Sequence, residues 1–241
     1  GGAGAPGLVG VLALVALVSV VGWRALRPAT PRLERDLTLE ADVVIVGTGA
    51  GGGTTAEILS EAGFKVLLIE EGPLRTSSEF TLQEPQAYGE LYQEGFGRVS
   101  KDGAITILQG RAVGGTTLIN WTSSFRTPDQ TLAHWAEAHA VAGHSPAEMA
   151  PWFERMEQRL GVAPWAQEPN ANNGVIRDGC EKLGWEWGII PRNVKGCANL
   201  GYCGMGCPLN AKQSMLVTCI PATLERGGEL LYLARAERLL L

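Results

Sequence analysis

The sequence predicts an α/β fold, a parallel sheet with flanking helices preceded by one hydrophobic helix, and three observations carry that prediction. Val43-Val44-Ile45-Val46 is a continuous apolar run, as expected of a strand whose two faces are both covered by helices. The glycine-rich turn Gly47-Thr48-Gly49-Ala50-Gly51-Gly52-Gly53 follows at once, and Thr54 to Ala62 then places Ala56, Leu59 and Ala62 at helical spacing, with Gly63 as a stop. Lys65-Val66-Leu67-Leu68-Ile69-Glu70 is a second buried strand. Strand, helix and strand in this order form a βαβ unit, which requires a parallel pair.

Taken from the start of the chain, the first 23 residues carry no charged side chain, and Leu8 to Val21 is almost wholly aliphatic. Gly7 to Trp23 just meets the roughly 17 residues that a membrane-spanning helix needs. Residues 1–23 are therefore expected to form a hydrophobic helix able to anchor the protein; the alternatives are a secretory signal whose basic start is missing, or a buried helix of an upstream region. Arg24, Arg27, Arg32 and Arg35 follow, and arginines on that side favour a cytoplasmic catalytic domain, with a soluble cytoplasmic protein as the other reading. Residues 24–40, with Pro28 and Pro31 among mixed charges, read as a polar linker. Beyond the βαβ unit, Ser145-Pro146-Ala147-Glu148 is a capping box with proline at the first helical position. It leads a helix whose Met149, Trp152, Phe153, Met156 and Leu160 share one face, a stripe expected to be core packing. A further helix is expected over Asn173 to Leu183, ended by Gly184, and a late strand over Leu230 to Ala234. The chain begins at Gly1 and finishes in Arg238-Leu239-Leu240-Leu241, so both ends read as cut.

Composition narrows the function classes. With 241 residues the chain can bury a sizeable core. Lys and Arg number 20 against 25 Asp and Glu, without a long basic run, which disfavours a nucleic-acid partner, because phosphate binding needs clustered cations. Glycine occurs 32 times with no strict period, so the glycines are local devices rather than a collagen-like repeat.

The first glycine cluster has a specific use. Gly47, Gly49 and Gly52 form G-x-G-x-x-G between a strand and a helix. Gly47 permits the tight turn, Gly49 lets the backbone approach a pyrophosphate, and Gly52 lets the helix pack on the sheet; the phosphates then sit at the helix N-terminus, where unpaired N–H groups and the helix dipole favour an anion. Glu70 ends the second strand about 20 residues on, where a carboxylate accepts ribose hydroxyls and argues against a 2′-phosphate. Its neighbour Glu71 is expected on the opposite face and solvated. This pattern alone does not separate NAD from FAD.

The second cluster does. Gly110-Arg111-Ala112-Val113-Gly114-Gly115-Thr116-Thr117-Leu118-Ile119-Asn120 is a small-residue loop with one fixed cation and two hydroxyls, suited to wrapping a diphosphate or ribityl chain with backbone N–H groups. It resembles the signature of the glucose-methanol-choline (GMC) family of flavin oxidoreductases. The resemblance covers about residues 41 to 241 and looks nearest to bacterial relatives of long-chain fatty alcohol oxidases. Phe125-Arg126-Thr127-Pro128, Pro191-Arg192-Asn193, Gly201-Tyr202-Cys203-Gly204 and Ala211-Lys212-Gln213-Ser214 support it. It implies a Rossmann-like FAD-binding domain, present here as its amino-terminal portion with the substrate domain missing. It also implies an enzyme that oxidises the CH–OH group of an alcohol by hydride transfer to flavin N5, with oxygen or a membrane electron carrier as acceptor. By the same resemblance Arg111, Gly114, Gly115, Thr116, Thr117 and Asn120 line the diphosphate and flavin side, Asn120 implies FAD held without a covalent link, and Ala236 offers its backbone to the adenine. The family's catalytic histidine lies near the carboxyl terminus and is expected beyond residue 241; His134, His139 and His144 match no catalytic position. The rival readings are an NAD-dependent Rossmann dehydrogenase and a membrane-anchored nucleotide-binding module without catalysis.

Cys197, Cys203 and Cys207-Pro208 form one local cluster. Three readings stand: a disulfide, which needs an oxidising compartment; a reduced trio; or iron–sulfur ligation, which some membrane-bound sugar dehydrogenases of the wider family carry on a comparable run.

Overall fold

The computed structural model describes residues 37–240 and, ahead of them, only the backbone of two short strands, β1 (Leu17–Val21) and β2 (Arg24–Ala25). Strand β3 (Val43–Val46) leads through helix α1 (Ala50–Glu61) to strand β4 (Val66–Glu70), the βαβ unit read from the sequence. β4 is the middle of the sheet. On one side it pairs in parallel with β3, Val43 opposite Val66 and Val46 opposite Ile69. On the other it pairs in parallel with β7 (Glu229–Tyr232), Leu68 opposite Leu230 and Ile69 opposite Leu231. The late strand expected at 230–234 is thus the third strand of a parallel sheet, and β2 adds an antiparallel edge beside β7.

All five residues of β4 are buried, because strand side chains alternate between faces and both faces here are covered. Val66 and Leu68 join Ala56 of α1, Val113, Met215, Leu230 and two residues of helix α6 (Cys219–Glu225), Cys219 and Ile220, in the largest apolar cluster. Leu67 and Ile69 point the other way, toward Leu231 and Ala234. β3 departs from expectation: its apolar run was expected to be buried on both faces, yet no β3 residue is fully buried and Val46 is 61% exposed. The reason is position. Among the described residues β3 is the outermost strand, paired only with β4.

The hydrophobic helix expected over residues 1–23 lies outside the described residues except near its end. There Leu17–Val21 is a strand, paired antiparallel with β8 (Arg235–Leu240), in line with the strand preference of its Val-rich sequence. Among the described residues no helix is long and apolar enough to cross a membrane. Within the expected linker, Arg24–Ala25 is β2 rather than irregular chain.

Helices α2 (Glu84–Leu91), α3 (Asp129–His139), α4 (Pro146–Leu160) and α5 (Ala171–Leu183) complete the fold, with a short antiparallel pair of β5 (Val162–Pro164) and β6 (Pro191–Asn193) that brackets α5 in the chain. The capping box forms as read: the Ser145 hydroxyl accepts from Glu148 N–H, and the Glu148 carboxylate accepts from Ser145 N–H at 3.0 Å. The stripe behind it is core only in part. No residue of α4 is fully buried: Leu160 packs against the largest apolar cluster, Met149, Phe153 and Met156 are half-buried, and Trp152 is 57% exposed. Charge adds to this attachment: Arg155 and Arg159 reach Glu61 and Glu57 of α1 at 3.2 and 2.8 Å, and Glu157 takes both arms of Arg126 at 2.7 Å. α5 starts two residues earlier than read because Asn170 caps it, its Oδ1 accepting from Asn173 N–H at 2.9 Å, and Gly184 closes it with φ +66°.

Candidate functional site

The two glycine clusters, 57 positions apart in the chain from Gly53 to Gly110, meet back to back above the end of the parallel sheet. A Cβ on Gly115, which has φ +53°, would stand 2.7 Å from Gly49 Cα, so Gly115 admits glycine alone. Gly52 lies against the Gly47 carbonyl so closely that a side chain there would displace it. This is the close helix-to-turn packing expected of it.

Beside this junction opens a cavity of about 330 Å³. Of the residues singled out in the sequence, Gly47, Gly49, Glu70, Arg111, Gly115, Thr116 and Ala236 line it. Gly52 and Gly114 stand behind the lining as packing and hydrogen-bonding supports: Gly114 N–H donates to Thr48 Oγ1 at 3.0 Å. Thr117 is also set back, its hydroxyl donating to the Gly114 carbonyl at 2.6 Å and accepting from Met215 N–H at 3.0 Å. Ala236 belongs to β8, just past the late strand. α1 begins at the cavity wall with Gly49 as its N-cap and no acidic residue in its first turn. Its free N–H groups and the positive end of its dipole are therefore available to an anion.

The carboxylates differ from expectation. Glu70 is buried and already hydrogen-bonded: Oε2 accepts from Thr48 N–H at 3.0 Å and from the Thr48 hydroxyl at 2.7 Å, while Oε1 accepts from Gly72 N–H at 2.8 Å. It braces the first glycine turn against the end of β4, with Oε1 the oxygen that retains acceptor capacity. Glu71, expected on the opposite face, lines the same cavity and pairs with Arg111 at 3.7 Å. The chain bends at Gly72, whose Cβ position is filled by the Arg111 backbone, and that bend brings both carboxylates to one side.

Thr48 was overlooked. It is fully buried and joins Glu70 to Gly114, tying the two glycine clusters together. A hydroxyl inside a glycine run is the only local signal for it. Lys212, within the Ala211-Lys212-Gln213-Ser214 stretch, has a role that its sequence context does not signal: it is 3% exposed, and its Nζ donates to the carbonyls of Leu118, Asn120 and Cys203 at 2.7, 2.7 and 2.6 Å. Burial pushes its pKa down to about 8, with Arg192 adding to the fall and Cys203 and Cys207 opposing it.

Asn120 carries the one buried side-chain polar atom without a partner among the described residues, its Oδ1. Buried polar atoms are nearly always paired, so this orphan is an acceptor open to a bound group, although Asn120 itself does not line the cavity between the glycine clusters. Cys197, Cys203 and Cys207 all line a second cleft of about 230 Å³ with Trp121 and Arg192, and all three are free thiols. Among the described residues no three His, Cys, Asp or Glu side chains are gathered as a metal site requires, so the iron–sulfur and disulfide readings gain no support. His134 and His139 lie on α3, and His144 Nδ1 meets the Ala142 carbonyl at 2.7 Å; none lines either cavity.

Comparison with known proteins adds to this geometry. The pattern described as GMC oxidoreductase matches residues 88–241. Long-chain-alcohol oxidase FAO4B of Arabidopsis thaliana is 36% identical over 203 residues, which is 84% of this chain and 27% of that protein. An uncharacterized GMC-type oxidoreductase of Mycobacterium tuberculosis is 36% identical over 204 residues, 83% of this chain and 32% of its own. Among solved structures, pyridoxine 4-oxidase aligns with 45% of this chain at 26% identity and a TM-score of 0.34. The chain spans about a quarter to a third of the length of these curated relatives.

Proposed function

Because this chain belongs to the GMC oxidoreductase family, we propose that it is the amino-terminal, FAD-holding portion of a flavin-dependent alcohol oxidoreductase, with the nucleotide-binding domain running over residues 41–241. The observation that carries the reading is the cavity of about 330 Å³ where both glycine clusters meet the N-terminus of α1. The residues fit FAD on two counts. Backbone without side chains lines the closest approach, at Gly49 and Gly115, as a diphosphate requires. The orphan Asn120 Oδ1 supplies a buried acceptor at the end of the second cluster.

In this reading the α1 N-terminus, Gly47 and Gly49 bind the diphosphate through N–H groups, with Arg111 and Thr116 on its other side. Glu70, braced by Thr48, presents Oε1 to a ribose hydroxyl, and Ala236 borders the adenine. Asn120 orients the flavin side without a covalent bond. FAD held by these residues would supply a hydride acceptor for the alcohol carbon, and a base is needed beside it to take the hydroxyl proton. Alcohol-oxidase relatives support a long-chain alcohol as substrate and oxygen as acceptor.

The test is the anaerobic spectrum of the full-length protein. A yellow chromophore released by acid, and bleached by long-chain alcohols, is expected. A colourless protein that reduces NAD with alcohol instead would replace this reading by the nicotinamide one.

A further inference from the structure

We propose that Lys212 is a positioning residue for the cofactor: its ammonium fixes the Leu118–Thr122 backbone, and its unneutralised charge favours the reduced state of a flavin bound beside Asn120. This rests on the FAD reading above. Three observations point to it. The ammonium is buried, and its three contacts are carbonyls drawn from two distant loops, Leu118 and Asn120 on one and Cys203 on the other. Among the described residues no carboxylate pairs with it; every ion pair in the structure involves other cations. A buried cation bonded only to neutral oxygens keeps its field, and in a low-dielectric interior that field is felt by whatever is bound nearby.

The segment it holds is one that needs holding. Thr122, two residues past Asn120, is fully buried at φ +66°, a conformation that costs a β-branched residue strain. Its hydroxyl accepts from Arg192 Nε at 2.6 Å, and Arg192 also reaches Cys203 Sγ at 3.3 Å. Trp121 between them packs on Gly204 so closely that no side chain fits there. Two cations and the Cys203–Gly204 loop thus clamp the strained stretch that carries the orphan Asn120 Oδ1. A hydride arriving on a neutral cofactor brings a negative charge, and a fixed cation nearby favours the product of that transfer over its precursor.

Two substitutions in the full-length protein separate donation from charge. Lys212→Met removes both, while Lys212→Gln keeps two N–H donors without charge. In flavin-free protein, hydrogen exchange followed by mass spectrometry should show amides 118–122 of Lys212→Met exchanging at least tenfold faster, with the β4 amides 66–70 unchanged, and Lys212→Gln in between. With flavin bound, both variants should lower the reduced-to-oxidised ratio at fixed potential by about tenfold, about 30 mV for a two-electron couple. Exchange that rises equally in β4, or a potential unmoved in both variants, overturns the proposal; if Lys212→Met does not fold, Lys212→Gln alone decides it by the potential. A protein that binds no flavin refutes the functional reading instead, and the exchange pattern still decides whether the clamp exists.

Discussion

Around the glycine clusters, the sheet end of the molecule buries Thr48, Glu70, Thr122 and Lys212 and gives each of them hydrogen-bond partners drawn from distant parts of the chain. Helices α3, α4 and α5 together bury only Leu132 and Gly174. They leave Val175 and Ile176 exposed at 70% and 66%. The same chain therefore uses two kinds of cohesion. At the sheet end, apolar packing excludes water and makes each remaining polar bond costly to lose. In the helical lobe, partly solvated ion pairs share the joining with the half-buried Leu160, and such pairs contribute little individually. Precision belongs to the first region, and the cavity lies entirely within it.

That contrast is open to measurement. The largest effect is expected from Glu70→Ala, which strands two buried N–H groups and the Thr48 hydroxyl; unfolding in urea should show a loss of about 3 to 5 kcal/mol, and a loss under 1 kcal/mol would mean that Glu70 is not a brace. Lys212 gives the next. Its folded pKa lies below the ordinary value, so between about pH 8 and its unfolded pKa the unfolded chain binds more protons and stability rises with pH. The wild type should therefore gain on Lys212→Met from pH 7.5 to 10, by up to about 3 kcal/mol; a difference that stays flat or falls would contradict the buried charge. Gly115→Ala should destabilise by about 2 kcal/mol through its left-handed backbone and its clash with Gly49. Flavin titration should show weakened binding in the same variant. Smallest is Glu157→Ala in the lobe, expected to shift stability by roughly 0.5 kcal/mol and to lose even that in high salt. A shift comparable to that of Glu70→Ala would erase the distinction between the two regions.

What the sequence made legible follows the same division. The βαβ unit, the Ser145–Glu148 capping box and the Gly184 stop are local patterns that formed where they were read, except that α1 starts at Ala50 and takes Gly51 to Gly53, read as turn, into its first turns. The Thr48 to Glu70 and Thr48 to Gly114 bonds span 22 and 66 positions, and Lys212 reaches back 94 to Leu118. No periodicity encodes such partners, since they arise only when the fold brings loops together. The α4 stripe held only at Leu160, which packs on the core, and not at Trp152, for a related reason: helical spacing says which residues share a face, not how far along it anything covers them.

The central position of β4 has a kinetic consequence. Its first partner, β3, is finished before it, but its second, β7, is made some 160 residues later, and Ala236 later still. During synthesis the βαβ unit can form early and must then wait with one apolar strand edge unpaired, a template for association with other chains. Completion of the cavity thus waits on β7 and β8, and any delay in delivering Glu229–Tyr232 prolongs the period in which the nascent chain is vulnerable.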